Sequence, residues 1–103
     1  SCTACVVACG KASEHCMSLA KGGKGEHAPS AALTADCGDC CALCLVLVSR
    51  KSQISAAVAE GCAKCCDKCA AECDKMAGEV MKDCAKACRE CAASCREMAK
   101  MAA

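Results

Sequence analysis

Cysteine recurs at intervals of three or four residues along most of this chain, and it accounts for 17 of the 103 residues. This spacing places the thiols on one face of an α-helix, because successive residues are about 100° apart around the helix axis. In the last helical segment the four cysteines fall within about 60° of one another. Rows of thiols along helices argue against a disulfide framework, whose cysteines are scattered through a loop-rich fold.

Glycine and proline divide the chain into four predicted helical segments. Gly22 and Gly23 end the first segment, and Gly78 precedes the fourth. Pro29 fits the first turn of the second segment, and Ser52 is the predicted N-cap of the third. The predicted segments are residues 1–21, 30–50, 53–77 and 79–101. Because short connections favour antiparallel neighbours, the sequence predicts an all-α, up-down antiparallel four-helix bundle with a cysteine-lined core, forming one metal-storage domain over residues 1–103.

An internal repeat relates the third and fourth segments. The stretch from Cys62 to Met76 aligns with the stretch from Cys84 to Met98, and nine of the fifteen positions are identical. Every cysteine of the first copy has a counterpart except Cys65, which aligns with Ala87. Two helices with similar faces are what such a repeat encodes.

Each predicted helix carries one stripe of cysteines, and the charged residues lie mostly on the other faces. A narrow apolar stripe of an amphipathic helix faces the axis of its bundle, so the sequence predicts a tube lined with thiols. All the cysteines are therefore candidate metal ligands. They are Cys2, Cys5, Cys9, Cys16, Cys37, Cys40, Cys41, Cys44, Cys62, Cys65, Cys66, Cys69, Cys73, Cys84, Cys88, Cys91 and Cys95.

Composition argues against other classes of partner. No nucleic acid is expected, because the formal net charge is only +1 and the chain has no aromatic residue. No membrane is expected, because the longest wholly apolar run, Cys40 to Val48, is far shorter than the ~20 residues that span a bilayer. No signal peptide is visible at the N-terminus. Free thiols at this density suit a reducing cytosol, whereas metal-loaded thiolates also tolerate export, so both compartments stay open.

Thiolates select soft metals, namely Cu(I), Zn(II) and iron–sulfur clusters. Several zinc tetrathiolates, each with a net charge of about −2, would leave a large negative charge in the core. Iron–sulfur clusters need cysteines that converge on a few compact sites. Cu(I) needs only two sulfurs, and thiolates that each bridge two ions give a neutral core with about one Cu(I) per cysteine. The favoured function is storage and buffering of Cu(I). A zinc or cadmium thiolate buffer and an iron–sulfur electron carrier remain alternatives.

The pattern Cys84-x3-Cys88-x2-Cys91-x3-Cys95, in a bundle whose four helices all carry cysteines, resembles the bacterial copper storage proteins. The resemblance covers most of the chain and is strongest in the third and fourth segments. It implies a homotetramer of bundles that each hold many Cu(I) ions in the core, with one end open for loading. The family has exported and cytosolic members.

The two ends of the predicted tube differ in composition. One end, which we call the Met/His end, gathers His15, Met17, His27, Met76 and Met81. We expect copper to load there, with Met17, Met76 and His15 as ligands that exchange more readily than thiolate. The opposite end gathers an apolar plug of Leu47, Val48, Ile54 and Val58.

No catalytic site is expected. His15 and Cys16 are adjacent and point apart on a helix, so they do not form a nucleophile–base pair. The expected partners are copper donor and acceptor proteins or small-molecule chelators. Leu43, Leu45 and Val46 lie away from the cysteine stripe of the second segment and predict a contact between subunits.

Overall fold

The computed structural model describes residues 2–102, with the side chains of residues 2–100, and consists of four α-helices with short connections. The helices are α1 (Cys2–Lys21), α2 (Ala28–Ser49), α3 (Ser55–Asp74) and α4 (Glu79–Ala102). Helices that are consecutive in the chain pack against each other, and α4 packs against α1. The result is a bundle of about 46 × 18 × 17 Å. The predicted all-α, up-down four-helix bundle is confirmed.

The connection after α1 ends the helix as its glycines predict. The backbone N–H of Gly22 donates to the carbonyls of Ser18 and Leu19 at 3.1 Å, and Gly23 has a φ of 95°. This left-handed conformation costs glycine little. A 3-10 turn, Gly25–His27, then leads directly into α2, so this helix begins two residues earlier than predicted.

Around the α2–α3 connection, α2 ends one residue earlier and α3 begins two residues later than predicted, and α3 also ends three residues early. Ser52 does not cap α3; instead its Oγ accepts a hydrogen bond from the Ile54 N–H at 3.3 Å, and the helix begins at Ser55. At the other end, α3 stops at Asp74 and the chain turns before Gly78, whose φ is 106°. The end of α1 and the start of α4 match the prediction, and Ser1 lies outside the described residues.

The interior is built almost entirely from small side chains. Fifteen cysteines are buried, together with alanines from all four helices. Among the described side chains, Leu47 and Met81 are the only larger apolar ones in the buried set. Four hydroxyl residues, Ser13, Ser30, Thr34 and Ser55, complete that set, which contains no lysine or arginine. The core of the bundle is therefore a column of thiols and methyl groups.

The segment Gly25–Ser49 contains an 18-residue stretch with a mean hydropathy of 1.8, so it is long and apolar enough to cross a membrane by length and composition. The cysteines of α2 contribute to this value, because cysteine behaves as a small apolar residue. In the bundle, α2 packs against α1 and α3 and buries Cys37, Cys41 and Cys44. Core helices meet the same criterion, so composition alone does not identify a membrane span here.

Candidate metal-binding core

The buried thiols of different helices lie in contact with one another. Cys88 of α4 lies 3.7 Å from both Cys5 and Cys9 of α1, measured between Sγ atoms. On the other side of the bundle, Cys41 of α2 lies 3.6 Å from Cys66 of α3. All seventeen cysteines are free thiols. The stripes predicted for the four helices thus meet along the bundle axis.

Ten of these cysteines form four groups of four, in which all Sγ atoms lie within 4.8 Å of one another. We call these groups quartets, and their ten members the thiol network. The quartets are Cys9, Cys69, Cys84 and Cys88; Cys5, Cys9, Cys37 and Cys88; Cys5, Cys37, Cys41 and Cys66; and Cys41, Cys62, Cys66 and Cys91. Each quartet takes its members from at least two helices, so the assembled bundle is needed to bring the sulfurs together.

Neighbouring quartets share members. Cys9 and Cys88 belong to two quartets, as do Cys5 and Cys37, and the remaining link is made by Cys41 and Cys66. Three separate quartets would need twelve thiols, but the network has ten. Within the described residues, at most two quartets can therefore be occupied at the same time by ions that share no ligand.

The end of the bundle opposite the Met/His end carries a smaller thiol group. Cys2, Cys44 and Cys95 lie within 4.8 Å of one another. Leu47 is buried there, and Val48 and Val58 pack partly buried against the core. Ile54, which was predicted to join this plug, is 56% exposed because it precedes the first turn of α3. The apolar plug therefore has three members instead of four.

At the Met/His end, a buried methionine contacts the last core thiol of α1. The Cys16 thiol donates a hydrogen bond to the Met81 sulfur at 3.7 Å, and both side chains are buried. Met76 packs partly buried against the core, and His15 is half-buried. Met17 is 45% exposed and lies in a groove between α1 and α2, away from the thiols. The structure thus brings Met81 into sulfur contact but not Met17, because Met17 follows Cys16 and points about 100° away.

Polar groups surround this end of the core. The buried Ser30 hydroxyl donates to the Glu72 carboxylate at 2.8 Å, linking α2 to α3, and Lys75 forms an ion pair with Glu72 at 3.7 Å. The Nδ1 atom of His27 is buried and has no hydrogen-bond partner among the described residues. The spacing of Glu72 along the chain predicts only a surface ion pair with Lys75, because its contact with Ser30 depends on how the helices pack.

Burial and contact between thiols both shift the acidity of the core. Burial raises the pKa of the Cys16 thiol, and smaller contributions come from Cys84 and the Glu72 carboxylate. Burial, followed by repulsion from Cys91, raises the pKa of Cys95 to about 12. In the thiol network, hydrogen bonding from Cys41 lowers the pKa of Cys91 to about 3. One thiolate accepting hydrogen bonds from protonated neighbours is stabilised, whereas ionising those neighbours is disfavoured. Burial and repulsion between neighbouring thiolates therefore keep part of the metal-free core protonated.

Two cysteines lie apart from this network. Cys40 and Cys65 are half-buried, and their Sγ atoms lie 3.3 Å from each other across α2 and α3. Neither belongs to any group of three or more mutually close ligands in the described residues. We call them the edge pair. The predicted inward stripes thus hold for the fifteen buried cysteines, while these two lie at the margin of the α2–α3 contact.

Met81 is the metal-ligand candidate that the predicted site omitted. It lies three residues before Cys84 and seven before Cys88, which places it within about 60° of their stripe. The same spacing argument that identified the cysteines could have added this methionine to the predicted ligands.

Comparisons with known proteins agree with this architecture. A solved structure of the apo form of copper storage protein 3 from Bacillus subtilis is similar, with a TM-score of 0.76 and 32% identity over 96% of this chain and 99% of that chain. A protein of Nitrosospira multiformis is similar with a TM-score of 0.70 and 32% identity over 97% of this chain and 95% of that one. A search of curated protein sequences found no significant match.

The family model described as copper storage protein matches residues 1–100. This match covers α1 to α3, all of α4 except its last two residues, and all seventeen cysteines. The chain belongs to the copper storage protein family.

Proposed function

We propose that the protein stores and buffers Cu(I), with about one ion per cysteine held by bridging thiolates inside the bundle. The observation that carries this proposal is that neighbouring quartets share thiols. Cys5 and Cys37, for example, belong to two quartets each. A shared thiol can serve two ions only if it bridges them. Cu(I) is suited to this arrangement because it is satisfied by two soft sulfur ligands.

The absence of buried cations supports Cu(I) over Zn(II). The buried residues of the described chain include no lysine or arginine that would balance the charge of several zinc tetrathiolates. A bridged array with one Cu(I) per thiolate is neutral and needs no such balance. Iron–sulfur clusters would use compact sets of four cysteines and leave most of the connected network unexplained.

Anaerobic titration against a Cu(I) chelator of known affinity tests the proposal. We expect saturation near one Cu(I) per thiol, with one proton displaced for each thiol that ionises. A parallel titration with Zn(II) should saturate the network near two tetrathiolates, because at most two quartets can be occupied at once without sharing a ligand. Saturation with Cu(I) near one ion per four thiols, or the appearance of a coloured iron cluster in purified protein, would contradict Cu(I) storage.

We further propose that copper loads at the Met/His end. The buried sulfurs of Cys16 and Met81 lie together there, and half-buried Met76 and His15 lie at the same end. Thioether and imidazole groups can pass Cu(I) to thiolates because they hold it less firmly. At the opposite end, Leu47 is buried and Val48 and Val58 pack against the core, and this apolar surface opposes access by a hydrated ion.

Copper donor and acceptor proteins or small-molecule chelators are the partners that this function requires. Storage of this kind involves ligand exchange at copper and no chemical conversion of a substrate. A transfer assay from a Cu(I)-chelator complex, followed by return to a stronger chelator, measures both directions. Copper that cannot be recovered in the presence of the stronger chelator would argue for permanent sequestration rather than buffering.

A homotetramer is the proposed assembly. Leu43 and Val46 of α2 are each 53% exposed, and Leu45 is also exposed, so an isolated bundle leaves this apolar surface in water. Sedimentation equilibrium of the metal-free protein should give four chains per particle. Replacing Leu43 and Val46 with Glu should shift the protein towards monomer, while the same change at exposed Ala57, on α3, serves as the control.

A further inference from the structure

The edge pair is the closest thiol contact in the described chain. Its Sγ atoms are 3.3 Å apart, whereas the hydrogen-bonded thiols of the core are 3.6–4.0 Å apart. Cys40 and Cys65 are also the only two cysteines that are half-buried rather than buried. These two thiols are therefore both the nearest to one another and the most accessible to a reagent in solution.

The surroundings of the edge pair do not complete a metal site of the kind found in the core. No third ligand atom forms a group with the two sulfurs within the described residues. The internal repeat also shows that packing at this margin does not require a thiol, because α4 carries half-buried Ala87 where α3 carries Cys65. Neither packing nor a metal site of the core type therefore accounts for the thiols of the edge pair.

We propose that Cys40 and Cys65 are a redox-sensitive pair that closes to a disulfide between α2 and α3 in the metal-free protein. The oxidant would be a small-molecule disulfide of the glutathione class. One thiolate of the pair attacks a sulfur of oxidised glutathione, forms a mixed disulfide and releases one glutathione thiolate. The second protein thiolate attacks the bound sulfur, forms the Sγ–Sγ bond and releases the other glutathione. Two electrons pass to the oxidant, and the two thiol protons leave with the two glutathione molecules.

The disulfide would fasten α2 to α3 on one side of the bundle and enclose the connection that contains residues 50–54. It would leave the fifteen buried thiols reduced, because a reagent in solution does not reach them in the folded chain. Its effect on copper rests on the proposed function: oxidation withdraws two thiols from the ligands available to Cu(I).

The test is mild oxidation of the reduced, metal-free protein with a mixture of reduced and oxidised glutathione, followed by trapping of free thiols and peptide mass mapping. We expect one intramolecular disulfide per chain, between Cys40 and Cys65, and fifteen trapped thiols. A disulfide located mainly among the buried cysteines, or the formation of glutathione adducts alone, would overturn the proposal.

Two double variants control for general loss of thiols. Cys40→Ser with Cys65→Ser should slow intramolecular disulfide formation on the order of tenfold or more. Cys41→Ser with Cys62→Ser removes a buried pair on the same two helices, whose Sγ atoms lie 3.7 Å apart, and should leave the Cys40–Cys65 disulfide in place. Circular dichroism establishes that each variant is folded. If the first variant forms its disulfide as fast as the unmodified protein, the proposal is wrong. These measurements use no copper, so their outcome does not depend on whether the Cu(I) titration supports the proposed storage function.

Discussion

The Cys16 thiol of α1 donates a hydrogen bond to the Met81 sulfur of α4 at 3.7 Å, and both side chains are buried. This contact joins the first and last helices at the Met/His end of the thiol column. It places a thioether next to a thiol at the point where the proposed copper path reaches the core.

Replacing Met81 with Leu should slow Cu(I) loading several-fold and leave the capacity nearly unchanged. Leucine has a similar volume, so packing is largely preserved, but it removes the sulfur that faces Cys16. Stopped-flow mixing with a Cu(I)-chelator complex measures the rate. Met98→Leu, at a half-buried position near the opposite end, is the matched control and should load normally. Equal loading rates for the two variants would exclude a role for the Met81 sulfur.

The metal-free protein should lose stability as the pH rises above about 9. Burial raises the pKa of Cys95 from its ordinary 9.0 to about 12, and it also raises the pKa of Cys2 and Cys16. Below pH 9 these thiols are protonated in both the folded and the unfolded chain. Between pH 9 and 12 the unfolded chain releases protons that the folded chain retains, so unfolding becomes more favourable.

Anaerobic thermal unfolding between pH 8 and pH 11 measures this loss, and each kcal/mol lowers the Tm by about 4–8 °C in a domain of this size. The lowered pKa of Cys91 does not offset the loss. Above pH 9 this thiol is ionised in both the folded and the unfolded chain, so its contribution to the free energy of unfolding is constant there. Cys95→Ser should reduce the slope of Tm against pH. A Tm that stays constant or rises over this range would contradict the assignment of burial as the main cause.

Copper should stabilise the bundle strongly. The column of cysteine and alanine buries few large side chains, so the metal-free protein lacks much of the apolar packing of an ordinary core. A ligand that binds only the folded chain at 100 times its Kd adds about 2.7 kcal/mol per site. Calorimetry during stepwise Cu(I) addition should show the Tm rising with each increment. If saturating Cu(I) leaves the Tm unchanged, the ions are not bound by the folded core.

Two glycine substitutions should have opposite effects on the free energy of unfolding. Gly61 is exposed in α3 with no atom within 4 Å of the position of an added Cβ, so Gly61→Ala should stabilise by about 0.5–1 kcal/mol. Gly78 has a φ of 106°, so Gly78→Ala should destabilise by about 1 kcal/mol or more. Urea denaturation of the metal-free protein measures both changes. A neutral or stabilising Gly78→Ala would show that the turn before α4 does not require this conformation, and a destabilising Gly61→Ala would contradict the prediction for α3.

The helical period was sufficient to predict the core, because burial selects one face of each helix and the cysteines follow that face. The margin of the face was harder to predict. Cys40 and Cys65 lie at the edges of their stripes, where the distance between neighbouring helices decides whether a side chain is buried. Helix ends also depended on local turns, as at Ser52. The contact between Ser30 and Glu72 joins different helices and has no signature in the spacing of either residue.

The quartets that share Cys5 and Cys37, and those that share Cys9 and Cys88, have a kinetic consequence for a Cu(I) cargo. An ion can step to the adjacent quartet by releasing some sulfurs while it keeps two, and it meets no water on the way. The barrier to migration along the bundle is then that of rearranging side chains, not of rehydrating a metal. Ions admitted at one end can redistribute throughout the interior, and the most recently loaded need not be the first to leave.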